Sequence, residues 1–245
     1  MDYDSVPTPK FPEKLVSQYK CLIDGEEHPL VIGKIMKMIR EGEQPRILIL
    51  ADPGHGKTWC AGWLAEKLYN DFDLFEGNFD VTENMKWDPL EYVKAARKHR
   101  NSIVVHPDAN TSFASDEYRS KGNRSNRDVI YLSRRFGNVL VYDAHEMAKC
   151  DKSIRTNHNI RIKSIGNADS YKWKAQRVIR KNDTMKEEIE VHNLGVFESN
   201  KPSKSVRKHI EEQDSEEKTS KLVDREEEWE KERKKEHASE LATPG

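Results

Sequence analysis

The run Ile47-Leu-Ile-Leu-Ala-Asp-Pro-Gly-His-Gly-Lys-Thr58 limits what this chain can fold into more than any other stretch. Four apolar residues lead into a glycine-containing loop that closes on Lys-Thr and opens an amphipathic segment. The pattern satisfies GxxxxGK[ST] except at its first position, where Ala51 replaces glycine. Its physical logic is anion binding. Gly54 and Gly56 let successive backbone N–H groups turn inward around phosphate oxygens, and Lys57 adds a point charge. The helix that starts there points its positive end at the same anion, and the Thr58 hydroxyl suits Mg²⁺. Ala51, Asp52, Pro53, Gly54, His55, Gly56, Lys57, Thr58 and the following Trp59 therefore form the candidate nucleotide-binding set. A guanine-reading NKxD is approached only by Asn200-Lys201-Pro202-Ser203, where Ser stands for the base-reading Asp, so ATP is the expected nucleotide.

Around this loop, from Lys34 to Asn200, short apolar runs alternate with amphipathic stretches, which is the pattern of an α/β sheet flanked by helices. Strands are expected at Arg46 to Leu50, Asn78 to Thr82, Ser102 to Val105, Val139 to Tyr142 and Asn159 to Lys163. Helices are expected at Val31 to Arg40, Lys57 to Tyr69, Pro89 to Lys98 and Arg124 to Arg135. Cys60, Leu64 and Leu68 share one face of the second helix, and Asp88 caps the third with Pro89 in its first turn. Tyr171 to Arg180 and Glu187 to Val191 read as a hairpin. The expected organisation is an N-terminal extension over 1–30, a P-loop domain over 31–200 and a charged tail over 201–245.

The 245 residues carry 42 Lys and Arg against 43 Asp and Glu, yet the balance is local. Between Arg119 and Lys181 stand 16 Lys and Arg against 5 Asp and Glu, a basic block that fits a polyanion such as DNA. The last 45 residues hold 24 charged ones, too few apolar groups for a core, so a mobile or single helix is expected. No apolar run reaches the 18 residues of a membrane span, and the first twenty lack a signal peptide's apolar stretch. The expected location is cytoplasmic, that of the host if the chain is viral. Cys21, Cys60 and Cys150 are far apart, which speaks against a disulfide framework or a structural zinc.

A phosphate-binding loop also needs an acidic residue at the end of a neighbouring strand, for the Mg²⁺ shell and the attacking water. Two places compete. Val139-Leu-Val-Tyr-Asp-Ala-His-Glu146 is the more regular, with Asp143 after four strand residues and Glu146 as a possible base. In Ile103-Val-Val-His-Pro-Asp-Ala-Asn110, His106 and Pro107 separate Asp108 from the strand, and periodicity alone selects Asp143.

The order of motifs resembles the FtsK/HerA group of DNA-translocating ATPases, in particular its archaeal-virus genome-packaging and filamentous-phage assembly (Zot-like) branches. Its elements read here as Asp88-Pro-Leu-Glu-Tyr92, Val105-His-Pro-Asp-Ala-Asn-Thr111, Ser133-Arg-Arg-Phe-Gly137, Val139 to His145 and Asp151 to Asn159. The resemblance spans about Arg46 to Ser164. It implies a RecA-like three-layer sandwich with a mostly parallel sheet, ATP hydrolysis, and a homo-oligomeric, hexameric ring acting on DNA. It moves the Walker B role to Asp108, so that Thr58 and Asp108 become the metal ligands, and it places Asp143 and His145 on the sensor strand. Pro107 stands where the family has Asp, which keeps a non-catalytic nucleotide-gated adaptor in view. Ring enzymes of this type take an arginine from the neighbouring subunit. Arg134, Arg135 and Arg155 are the candidates, with Arg119 behind them. A small P-loop kinase is the other alternative, with Arg119 to Arg127 as its lid.

Overall fold

The computed structural model describes residues 14–17, 20–72, 74–112, 130, 135–167, 170–183, 186–216 and 219. Its centre is a six-stranded sheet made of β4 (Arg46–Leu50), β5 (Ile103–His106), β6 (Val139–Ala144), β7 (Ile160–Ser164), β8 (Lys172–Asp183) and β9 (Lys186–Glu198). The spatial order is β5-β6-β4-β7-β8-β9. The pairings β5/β6, β6/β4 and β4/β7 are parallel, while β7/β8 and β8/β9 are antiparallel. The class is α/β with a mostly parallel sheet.

Strands β4, β5 and β6 are buried on both faces, which is why they read as unbroken apolar runs rather than alternating ones. Side chains of successive strand residues point to opposite faces. Leu48, Leu50, Val104, Leu140, Tyr142 and Ala144 meet Tyr92, Val93, Ala95 and Ala96 of α4 (Pro89–Lys98) on one face. The alternate residues, Asp143 among them, face α2 (Lys57–Glu66), so helices cover both sides. Asp88 accepts from the N–H groups of Leu90 at 2.9 Å and Glu91 at 2.8 Å, and Pro89 follows it, as its sequence requires.

Two asparagines fix where the strands begin. Asn138, fully buried, donates to the carbonyls of Ala96 at 2.8 Å and His99 at 3.0 Å, and its Oδ1 accepts from Ser102 N–H at 3.2 Å. Asn159 accepts from Arg46 N–H at 2.7 Å and donates to the Gln44 carbonyl at 2.7 Å. Both sit one residue before a strand and satisfy backbone groups that would otherwise be buried without partners.

The strand expected at Asn78 to Thr82 does not form. Asp80 instead accepts from the backbone N–H and the hydroxyl of Thr82, at 2.9 and 2.8 Å, and caps the short helix α3 (Val81–Asn84). An aspartate that bonds its own downstream backbone favours a helix start over a sheet ladder. Just beyond α3 the chain makes a single parallel bridge, Met85 to Val105. The second helix also differs from expectation. It ends at Glu66 and continues as one π turn over Lys67–Asp71, with Leu68 and Tyr69 still buried. Of the helix expected at Arg124 to Arg135, only Ile130, helical and buried, and Arg135 are described.

Ahead of the sheet, β1 (Lys14–Ser17), β2 (Lys20–Ile23) and β3 (Glu26–Pro29) form a small antiparallel sheet within the stretch expected to be an extension. It leads into α1 (Leu30–Arg40). The chain divides into two compact units, Met1–Ser203 and Lys204–Gly245. The second begins with a helix over 204–216, carrying an i,i+4 ion pair of 3.5 Å between Lys208 and Glu212. The charged stretch from Asp224 onward lies outside the described residues. Among the described residues no helix is long and apolar enough to cross a membrane.

Candidate nucleotide-binding site

The site forms where β4 ends and α2 begins. Ala51 continues the strand, its N–H donating to the Ala144 carbonyl at 3.2 Å, and His55 N–H donates to the Asp52 carbonyl at 3.2 Å. Gly54 and Gly56 both have left-handed backbone angles, φ 80° and 70°. At Gly56 a side chain is disfavoured twice over. The backbone disfavours it, and a Cβ would stand 3.0 Å from Cε1 of Tyr171. Gly56 then serves as N-cap of α2, and its carbonyl accepts from Cys60 N–H at 2.8 Å. The positive end of that helix faces the loop.

Lys57, its side chain only 14% exposed, places Nζ 3.8 Å from Oδ1 of Asp143, which is fully buried at the end of β6. Asp143 reaches Lys57 because β6 is the direct neighbour of β4, with Ile49 level with Asp143. Burial pushes the Asp143 carboxyl above its ordinary range. The Lys57 charge, the N–H of Asp108 and the Thr58 hydroxyl act the other way. Its Oδ2 is buried and meets no donor in hydrogen-bond geometry.

Asp108 stands on the next strand over, just past β5, and its N–H donates to Oδ1 of Asp143 at 2.9 Å. The two competing carboxylates therefore belong to one site. Asp108 holds a left-handed backbone, φ 50°, where aspartate is tolerated better than most residues. Its own carboxylate faces His145, Nε2 to Oδ1 3.5 Å, and the other ring nitrogen of His145 lies 3.3 Å from the Ala51 carbonyl. Asn110, given no role from the sequence, joins the two segments. It accepts from His145 N–H at 3.1 Å and donates to the Glu146 carbonyl at 3.1 Å. Its only sequence signal was a small amide two residues after Asp108.

Glu146 is not turned to this cluster. Its side chain is exposed and pairs with Lys149 at 3.1 Å. Arg135 is exposed in the turn before β6, and Arg155 lies in α5 (Lys152–Asn157), just ahead of β7. Both sit at the end of the sheet where these strands start, while the phosphate loop is at the end where they finish. Neither completes this chain's own site. The Arg155 carbonyl accepts from Arg180, which also donates to the His158 carbonyl, both at 2.7 Å, closing the C-terminus of α5. Arg134 and Arg119 lie outside the described residues.

One side of the loop is aromatic. Trp59, in the first turn of α2, stacks on Tyr171 with centroids 6.0 Å apart and planes 13° from parallel. The Lys201 ammonium lies 5.4 Å from the Trp59 centroid and 5.8 Å from that of Tyr171. The sequence put Trp59 in the nucleotide set, but nothing local marked Tyr171 or Lys201, which the antiparallel strands β8 and β9, between them, bring back to the loop.

No family model matches the sequence, and no curated protein matches it. Among solved structures the chain is similar to the N-terminal domain of zonular occludens toxin from Neisseria meningitidis. That likeness has 15% identity and a TM-score of 0.41, over 61% of this chain and 93% of that one. It is also similar to the genome packaging NTPase B204 from Sulfolobus turreted icosahedral virus 2 in complex with ATP-γS. Here identity is 7% and the TM-score 0.38, over 61% of this chain and 96% of that one.

Proposed function

We propose that this chain is an ATP-hydrolysing subunit of a homo-oligomeric ring that moves DNA, in packaging or exporting a viral genome. The observation that carries the nucleotide part is Lys57 Nζ at 3.8 Å from the buried Asp143, at the mouth of a loop whose two glycines hold left-handed angles. A γ-phosphate arriving there meets the lysine, the loop amides and the α2 N-terminus together.

The residues fit Mg²⁺. Asp143 keeps a buried oxygen, Oδ2, outside hydrogen-bond geometry, the Thr58 hydroxyl interacts with the same carboxyl group, and hard oxygen ligands of this kind suit the ion. Thr58 and Asp143 would hold it, and bound there it neutralises charge on the β and γ phosphate oxygens. This gives Asp143 the metal role that family order assigned to Asp108. Asp108, anchored through its N–H on Asp143 and facing His145, is left as the carboxylate to orient the attacking water.

Support for DNA comes from the basic block. Several of its cations pair with the chain's own carboxylates, as Arg177 does with Glu43 at 2.6 Å and Lys172 with Glu198 at 3.3 Å. Lys163 and Lys174 differ. They are exposed, directly opposite each other on β7 and β8, and have no acidic partner among the described residues. Like charges facing each other across strands are unfavourable unless an anion bridges them, and a phosphate backbone supplies one.

The deciding measurement is ATP turnover with and without DNA, with DNA affinity followed against salt. DNA should raise turnover, and log affinity should fall with log salt at a slope of about −0.9 per phosphate neutralised. Replacing Lys163 and Lys174 with Ala should flatten that slope by about 2 while leaving turnover without DNA intact. Turnover that ignores DNA removes the motor and keeps the nucleotide site. Transfer of phosphate to a small acceptor would mark a kinase instead.

A further inference from the structure

We infer that Trp59, Tyr171 and Lys201 form the seat of the nucleobase, so that the site selects a purine nucleoside triphosphate and not merely a polyphosphate. The inference rests on the phosphate-binding reading of the loop and adds what lies beyond the phosphates.

Three features carry it. The first is place. Trp59 directly follows Thr58, and the Tyr171 ring lies 3.0 Å from where a Gly56 Cβ would stand, so the aromatic pair flanks the loop that would hold the phosphates. The second is availability. Along α2 the residues Cys60 to Ala65 are buried, and Trp63 packs inward on Phe197 at 5.7 Å, whereas Trp59 and Tyr171 are each only half-buried. The third is chemistry. Two near-parallel rings with a mobile ammonium over them offer a π-face for a flat base, which can take the ammonium's place there, and a donor for its ring nitrogens or carbonyl oxygen.

Tyr171 is also held at φ 45°, unusual for a residue with a bulky side chain, and its carbonyl accepts from Ser199 N–H at 3.0 Å. The fold thus fixes its ring against the loop at some backbone cost. A purine, with the larger π-face, gains more from such a platform than a pyrimidine does.

The test titrates ATP and inorganic tripolyphosphate, each with Mg²⁺, into the full chain and into Tyr171→Asn, Lys201→Ala and Lys57→Ala. Asparagine removes the ring but accepts the left-handed backbone, and Lys201 is exposed, so neither change endangers folding. Tyr171→Asn should weaken ATP about tenfold, as loss of one base–aromatic stack does, and leave tripolyphosphate unchanged. Lys201→Ala should weaken ATP alone, by about threefold. Lys57→Ala should weaken both ligands. Equal losses for the two ligands in Tyr171→Asn, or no loss in either variant, would overturn the base seat, because the pair would then only shape the loop or pack. So would tripolyphosphate binding as tightly as ATP to the unaltered chain, with the phosphate reading intact. Binding of neither ligand to the unaltered chain would instead sink the phosphate reading, and the base seat with it.

Discussion

At the scale of single residues the decisive comparison is between Asp108 and Asp143. Both were visible in the sequence as carboxylates after apolar strands, and the two ways of ranking them disagreed. Asp143 is the one beside Lys57 and Thr58, while Asp108 reaches the cluster through its N–H and turns its carboxylate to His145. Asp143→Asn should therefore abolish metal-dependent nucleotide binding and turnover together. Asp108→Asn should lower turnover by about 100-fold or more and leave Mg²⁺-ATP affinity nearly unchanged, the mark of a group acting on the attacking water. Steady-state kinetics beside equilibrium titration separates the two, and an affinity loss confined to Asp108→Asn would return the metal to Asp108.

At the scale of elements, caps and side-chain brackets decide more than propensity does. The helix at Pro89–Lys98 was legible to the residue because Asp88 and Pro89 announce it and its bonds are local. Asp88→Ala should cost about 1 kcal/mol, read as a fall of a few degrees in melting temperature. That loss should not alter nucleotide affinity, since α4 packs on the sheet face away from Lys57. The missing strand at Asn78 to Thr82 has the same cause with opposite result. Asp80 starts a helix where the alternating pattern suggested a strand, and a single bridge follows at Met85. The hairpin of β8 and β9 was expected, but its docking on β7 extends the main sheet and was not visible in either strand.

At the scale of the molecule, stability should depend on pH through two buried histidines. His106 donates from Nδ1 to the Lys86 carbonyl, 2.6 Å away, and burial lowers its pKa to about 4. His158 is likewise lowered to about 4, by burial first and then by Arg180 and Arg161. Both start from 6.5 when unfolded, so between pH 6.5 and 4 the unfolded chain binds protons that the native one refuses. Stability from these groups is complete above that window and is lost as pH falls through it. Replacing both with Gln should flatten the melting temperature across pH 4–6.5, whereas an unchanged slope would place the acid sensitivity in other groups. Assembly belongs to the same scale. Arg135 and Arg155 precede the starts of β6 and β7, whereas the phosphate loop follows the end of β4, so in the proposed ring either would serve a neighbour's site. Mixing Arg155→Ala with Lys57→Ala should restore turnover that neither shows alone. Failure with Arg155, repeated with Arg135, would remove both from the ring mechanism.

What the sequence determined by itself were the features written in consecutive residues. The strand, glycine loop and helix from Ile47 to Thr58, the capped helix at Pro89, and the apolar runs of β5 and β6 all follow from bonds and burial that neighbours along the chain dictate. Only the tertiary structure decided which carboxylate meets Lys57, because that depends on β6 rather than β5 lying next to β4, and strand order is set by packing across the whole sheet. It alone brought Tyr171 and Lys201 to Trp59, more than a hundred residues away along the chain. Backbone hydrogen bonds between strands carry no mark in local sequence of which partner they will find, so contacts built on them become readable only once the sheet has closed.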